Sequence, residues 1–202
     1  MLGKIFRKKI SEIIYSVFLY IPSLNHVNPN LITSLSLMLS FAAFYFVVNK
    51  LYLFSLVFIM ASSLMDMMDG AVARKADKKT LFGDYFDALI DRYREIIFYT
   101  GFALSGFSLE AFFAMVGSLI ISYAKARTAL TIKIEDYDWP AIGEMLDRLI
   151  LLIIGISIAA FRPIVWGFSV ISLTLWSIAL VTNIGAIQRI FYAKRMIEKS
   201  YV

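Results

Sequence analysis

Six long apolar runs constrain this chain more than any other feature. They occupy residues 31–49, 51–68, 88–107, 109–130, 145–161 and 163–187, and each is near the roughly 20 residues a helix needs to cross hydrocarbon. Hydrophobic residues make up 60% of the chain, against roughly 45–50% in soluble domains. One water-bounded core of this size cannot hide so much apolar surface, so lipid must be part of the solvent. The expected fold is an all-α integral membrane protein of one domain, residues 1–202. Six transmembrane helices form a bundle over 31–189, and an amphipathic interfacial helix precedes them over 5–22.

The interfacial helix rests on periodicity. Phe6, Ile10, Ile13, Ile14, Val17, Phe18 and Ile21 fall on one helical face, which suits a helix lying in the headgroup plane. Basic residues followed by an apolar stretch resemble a signal peptide, but no small-residue cleavage site follows. Asn28-Pro29-Asn30 then breaks the chain before the first span. With the N-terminus inside, Lys50 and Arg162 alone of the 20 Lys and Arg fall outside. That asymmetry predicts a multi-pass protein of the cell membrane with both termini cytoplasmic. The net charge of +5 is thus a topology signal beside acidic lipid headgroups, and no nucleic-acid partner is expected. His26, Tyr137, Trp139 and Trp166 read as interfacial side chains.

There is no Cys and one His, which excludes thiol chemistry and most histidine-based catalysis or zinc binding. The available chemistry lies with carboxylates, Lys, Arg, Ser, Thr and Tyr, and one stretch concentrates it. Asp66 and Asp69 stand three apart near the end of the second run, and Asp87 and Asp91 four apart at the start of the third. These spacings put each pair on one helix face, and the short intervening turn brings the faces together. Four converging carboxylates repel one another unless a cation joins them. All-oxygen ligation favours a hard ion, Mg²⁺ or Mn²⁺.

Gly70 and Ala73 share the face of Asp66, and Gly83 shares that of Asp87. Missing side chains there leave room for a ligand or for close helix approach. Arg74 sits at the same rim, suited to a phosphate oxygen. Small residues in a membrane helix ordinarily serve packing, and an isolated Asp or Arg at a helix end ordinarily serves as an anchor. Four Asp in phase with three small residues and one Arg fit a site better. Asp66 lies about 22 Å into its run at 1.5 Å per residue, near one headgroup level and far from the midplane.

The pattern Asp66-x2-Asp69-Gly70-x2-Ala73-Arg74-x8-Gly83-x3-Asp87-x3-Asp91 resembles the signature of the CDP-alcohol phosphotransferase family at all of its positions. The resemblance implies a six-helix membrane fold, usually dimeric, with its active site open to the cytoplasmic leaflet. It implies transfer of a phosphoalcohol group from a CDP-lipid donor to a hydroxyl acceptor, with release of CMP. By the same resemblance Asp66, Asp69, Asp87 and Asp91 bind metal, and Asp91 is the general base. Asp69, Gly70, Ala73, Arg74 and Gly83 would then bind the CDP donor.

A second, basic set lies at the other helix ends: Lys125 and Arg127 close the fourth run, Arg148 opens the fifth and Arg189 follows the sixth. Cations there can clamp a phosphate on the acceptor or snorkel as anchors. These stretches resemble the branch of the family that uses inositol phosphate, with Lys125, Arg148 and Arg189 at its phosphate-binding positions. That branch tends to carry Glu where Ala129 stands, and a second Arg before Arg148, which keeps glycerol phosphate as the alternative acceptor. The absence of Cys and the Ile- and Lys-rich composition suit a thermophile, for which the donor would be CDP-archaeol in place of CDP-diacylglycerol. Asn28, Asn30 and Thr33 serve either the donor or the turn and cap of the first helix. An ion transporter is the rival from another class; it predicts acids near the midplane and repeated halves, and neither is visible here.

Overall fold

The computed structural model describes residues 27–75, 77–132 and 141–200. The interfacial helix expected over 5–22, and His26, Lys133, Tyr137 and Trp139, lie outside the described residues.

The first of two compact units ends at Ser105 and contains three helices among the described residues. Asn28 caps α1 (Pro29–Val48): its side-chain oxygen accepts from the Asn30 backbone N–H at 3.0 Å, and Pro29 opens the helix where an N–H is not needed. A tight turn with Lys50 at φ +57° leads into α2 (Tyr52–Lys75). The Thr80 hydroxyl accepts from the Gly83 N–H at 2.9 Å and caps α3 (Leu81–Leu104). Both α2 and α3 pack against α1. They run past the apolar stretches read from the sequence, α2 beyond 68 and α3 from before 88. A capped helix with satisfied backbone groups continues through charged residues as readily as through apolar ones.

Burial is inverted relative to a water-soluble bundle. Ser36 and Ser40 of α1 and Ser55 and Ser62 of α2 are fully buried, while Met38, Phe41 and Tyr45 of α1 are each more than half exposed. Small residues let the helices approach, and the large apolar side chains point out to a solvent that is itself apolar. The Ser62 hydroxyl donates to the Ser36 carbonyl at 2.7 Å and ties α2 to α1.

The second unit begins at Gly106 and contains α4 (Ser108–Thr131), α5 (Met145–Phe161) and α6 (Val170–Ser200). Helix α6 packs against both α4 and α5. A two-stranded antiparallel hairpin, β1 (Ile164–Val165) and β2 (Phe168–Ser169), precedes α6, with Ile164 opposite Ser169 and Val165 opposite Phe168. This corrects the sixth run, which the sequence places in a helix from residue 163. Pro163 supplies no N–H to a helix, and Trp166 and Gly167 adopt φ +51° and +82°, values that close a two-residue hairpin loop. The helix then extends well past residue 187.

Among the described residues, four helices (α1, α2, α4 and α6) are long and apolar enough to cross a membrane on their own. The other two expected spans are helices in the expected places, but α5 has 17 residues. Helix α3 carries Asp84, Asp87, Asp91, Arg92, Arg94 and Glu95 in its first two-thirds.

Candidate active site

Helices α2 and α3 present their acidic faces to one another. Oxygens of Asp66, Asp87 and Asp91 lie within 4.8 Å of one another. Ligands of one Mg²⁺ or Mn²⁺, each at about 2.1 Å, stand up to about 4.2 Å apart. A small inward movement therefore seats a hard cation, and an all-carboxylate donor set fits one.

Asp69 lies outside that trio. It is 3% exposed, and its Oδ2 accepts from the Thr33 hydroxyl of α1 at 2.5 Å. Asp69 and Asp87 instead line one pocket with Gly70, Ala73 and Gly83, and Asn30, Thr33 and Thr80 line it too. The three small residues read from the sequence as making room thus border one space. Lys78 and Lys79 of the α2–α3 loop also line it. Arg74 is exposed and folds back along its helix, so that a Cβ built on Gly70 would come 3.3 Å from its Nη1.

Sequence reasoning missed Arg94. Counted there as one more cytoplasmic charge, it is 1% exposed. Its Nε donates to the Ser62 hydroxyl at 3.0 Å and its Nη2 to Ser63 at 3.4 Å. Its Nη1 bonds Oδ1 of both Asp66 and Asp91, the latter at 3.1 Å. The neglected signal was position: a cation six residues inside a predicted span is expensive unless paired. Its neighbour Arg92 behaves more conventionally, pairing with Glu95 at 2.7 Å.

In the second unit, Arg148 and Arg189 meet around one loop. Arg148 Nη1 donates to the Gly143 carbonyl at 2.6 Å. Arg189 Nη1 donates to the Ile121 carbonyl at 2.5 Å, and its Nη2 pairs with Glu144 at 2.8 Å. Both arginines are buried, while Lys125 and Arg127 are exposed at the end of α4. The loop is held against α6 by close backbone approach. Gly143 has φ +76°, and a Cβ there or at Gly185 would collide with backbone of the facing segment. Ile142 N–H also donates to the Gln188 side chain at 3.1 Å.

Helices with outward apolar faces and a carboxylate trio able to hold a cation define a multi-pass membrane protein with a metal-type acidic centre. The chain belongs to the CDP-alcohol phosphatidyltransferase family, whose profile matches residues 26–182. It is 26% identical to the archaetidylinositol phosphate synthase of Pyrococcus horikoshii over 98% of this chain and 99% of that one. The corresponding synthase of Methanothermobacter thermautotrophicus is 32% identical over 134 residues, 65% of each chain. A crystal structure of Mycobacterium tuberculosis phosphatidylinositol phosphate synthase with CDP-DAG bound has the same fold. It superposes with a TM-score of 0.74 at 24% identity, covering 92% of this chain and 94% of that one. The same mycobacterial enzyme has been solved in complex with manganese and citrate. The chain is accordingly a membrane transferase of phospholipid biosynthesis that acts on substituted phosphate groups.

Proposed function

We propose that this enzyme moves a phosphatidyl or archaetidyl group from a CDP-lipid to the hydroxyl of inositol phosphate and releases CMP. The observation that supports the reading most is the acidic trio within 4.8 Å, flanked by a pocket that Gly70, Ala73 and Gly83 leave open. In this reading the pocket takes the cytidine, and Arg74 swings to the donor diphosphate. Asp66, Asp69, Asp87 and Asp91 hold Mg²⁺ or Mn²⁺, which neutralises the diphosphate and stabilises charge on the departing CMP.

The acceptor oxygen bonds to the phosphorus that carries the lipid alcohol. The bond from that phosphorus to the bridging oxygen breaks, and CMP leaves with the electron pair. Asp91 receives the acceptor's proton. Lys125, Arg127, Arg148 and Arg189 supply positive charge for the acceptor phosphate. The protein spans the membrane six times as a homodimer, with both termini in the cytoplasm and the acidic centre at the inner leaflet. Ala129, where the inositol-phosphate branch tends to carry Glu, keeps glycerol phosphate as the second reading.

The test is CMP release by purified protein given CDP-archaeol or CDP-diacylglycerol with a panel of inositol phosphate, glycerol phosphate, serine and free inositol. Release should require inositol phosphate, stop with EDTA and resume with Mg²⁺ or Mn²⁺. Release with glycerol phosphate alone would select the second reading. Ion flux in liposomes without any CMP release would refute both.

A further inference from the structure

A buried guanidinium beneath a carboxylate cluster has to have a reason, because a lone cation inside a membrane helix is costly. The surroundings of Arg94 are fully organised. The Ser62 hydroxyl donates its proton to the Ser36 carbonyl at 2.7 Å, and that of Ser63 donates to the Ile59 carbonyl at 2.8 Å. Each therefore turns a lone pair toward Arg94, whose Nε and Nη2 use them at 3.0 and 3.4 Å. The planar fork is thereby held from two sides, which leaves Nη1 aimed between Asp66 on α2 and Asp91 on α3.

Nη1 takes the same kind of atom, Oδ1, from each carboxylate. Every carboxylate has a second oxygen, so this contact leaves Oδ2 of each as the outer oxygen, that of Asp91 with Arg92 Nη2 beside it at 3.7 Å. Asp87 completes the trio from the next turn of α3.

We infer that Arg94 is a positioning residue: a fixed internal cation that draws the Asp66 and Asp91 carboxylates of two helices together and orients their outer oxygens toward the metal. The inference deepens the proposed function and rests on the metal role given there to Asp66 and Asp91. Arg94 acts through Asp66 and Asp91, whose carboxylates it contacts. It offsets repulsion among the carboxylates before the cation arrives, and it fixes their rotamers as outer-shell partners of metal ligands do. Lysine cannot replace it, because an ammonium on a flexible stem lacks the planar fork that reaches two serines and two carboxylates together.

The experiment measures Mn²⁺ binding by electron paramagnetic resonance on the purified full-length chain in nanodiscs, alongside CMP release. Arg94→Gln and Arg94→Lys should each weaken Mn²⁺ binding by about 10–100-fold and alter the spectrum of the bound ion. At saturating Mn²⁺ the kcat should fall while the KM for CDP-lipid stays within about two-fold. A folded Arg94 variant that binds Mn²⁺ with unchanged affinity and spectrum, merely melting earlier, overturns the inference. The double variant Ser62→Ala/Ser63→Ala keeps the charge and loosens the fork, while also removing the Ser62 bond to the Ser36 carbonyl. It should weaken Mn²⁺ in the same direction, and it decides the matter if neither Arg94 variant folds: unchanged affinity there also overturns the inference. Wild-type protein that binds no Mn²⁺ would overturn the metal reading itself, a result distinct from wild-type binding that the variants share.

Discussion

Replacing Thr33 by Val tests whether Asp69 belongs to the metal centre although it stands outside the tight trio. The Thr33 hydroxyl has one proton and two acceptors within reach, Asp69 Oδ2 at 2.5 Å and the Pro29 carbonyl at 3.2 Å. The shorter contact to the charged group is the stronger one. Both side chains are buried, Thr33 at 2% and Asp69 at 3% exposure, so water does not readily replace the lost donor. A hydrogen bond to a charged group is worth about 1.5–3 kcal/mol net, or about 10–150-fold in an equilibrium constant. Loss of an outer-shell partner independently suggests about 10–100-fold in metal affinity. Thr33→Val should therefore shift the Mg²⁺ concentration for half-maximal CMP release upward by about ten-fold or more, and Thr33→Ser should leave it near wild type. The assay is CMP release across a Mg²⁺ titration at saturating donor and acceptor. A Thr33→Val curve that superimposes on wild type, or lies to lower Mg²⁺, would show that the Thr33–Asp69 contact has no part in holding the metal.

Three other substitutions probe separate parts of the protein. Asp91→Asn should retain CDP-lipid binding, measured by equilibrium filtration in detergent, yet lose about 10²–10⁴-fold in turnover; near-normal kcat would remove Asp91 from the base role. Ala73→Leu fills the pocket bordered by Gly70 and Gly83 and should raise the KM for CDP-lipid by about ten-fold or more, each factor of ten being 1.4 kcal/mol. The Mn²⁺ affinity of that variant should stay unchanged, and a parallel loss of Mn²⁺ would mean that the pocket and the metal centre are not separable. Gly185→Ala pushes a methyl group into the Ile142 carbonyl and should destabilise by about 1–3 kcal/mol, lowering the melting temperature by about 3–10 °C. An unchanged melting temperature would mean that the loop before α5 is not held closely against α6.

The acidic centre was largely visible before any coordinates. Spacings of three and four place Asp66 with Asp69 and Asp87 with Asp91 on single helix faces, whatever the helices do next. The apolar runs likewise foretold every long described helix. The hairpin at 164–169 escaped because Ile-Val-Trp-Gly-Phe-Ser continues the hydropathy of a span, and hydropathy does not register the positive φ of Trp166 and Gly167. The second cationic group was visible as residues but not as an arrangement. Nothing in the sequence says that Arg148 and Arg189 turn to backbone carbonyls at Gly143 and Ile121 while Lys125 and Arg127 stay exposed.

Local periodicity acts within one helix, and so residue order alone dictated the lipid-facing helices, the paired carboxylates and the gaps at Gly70, Ala73 and Gly83. Which carboxylates meet depends on how α2 and α3 lie against α1, a matter of contacts such as Ser62 to Ser36 and Arg94 to Asp66 across 26 and 28 residues. Those contacts selected Asp66, Asp87 and Asp91 as the close trio and left Asp69 to Thr33. They also turned Arg94 from a charge in a count into the cation beneath the site. A helix face can be read from spacing, whereas the distance between two faces exists only once the helices have packed.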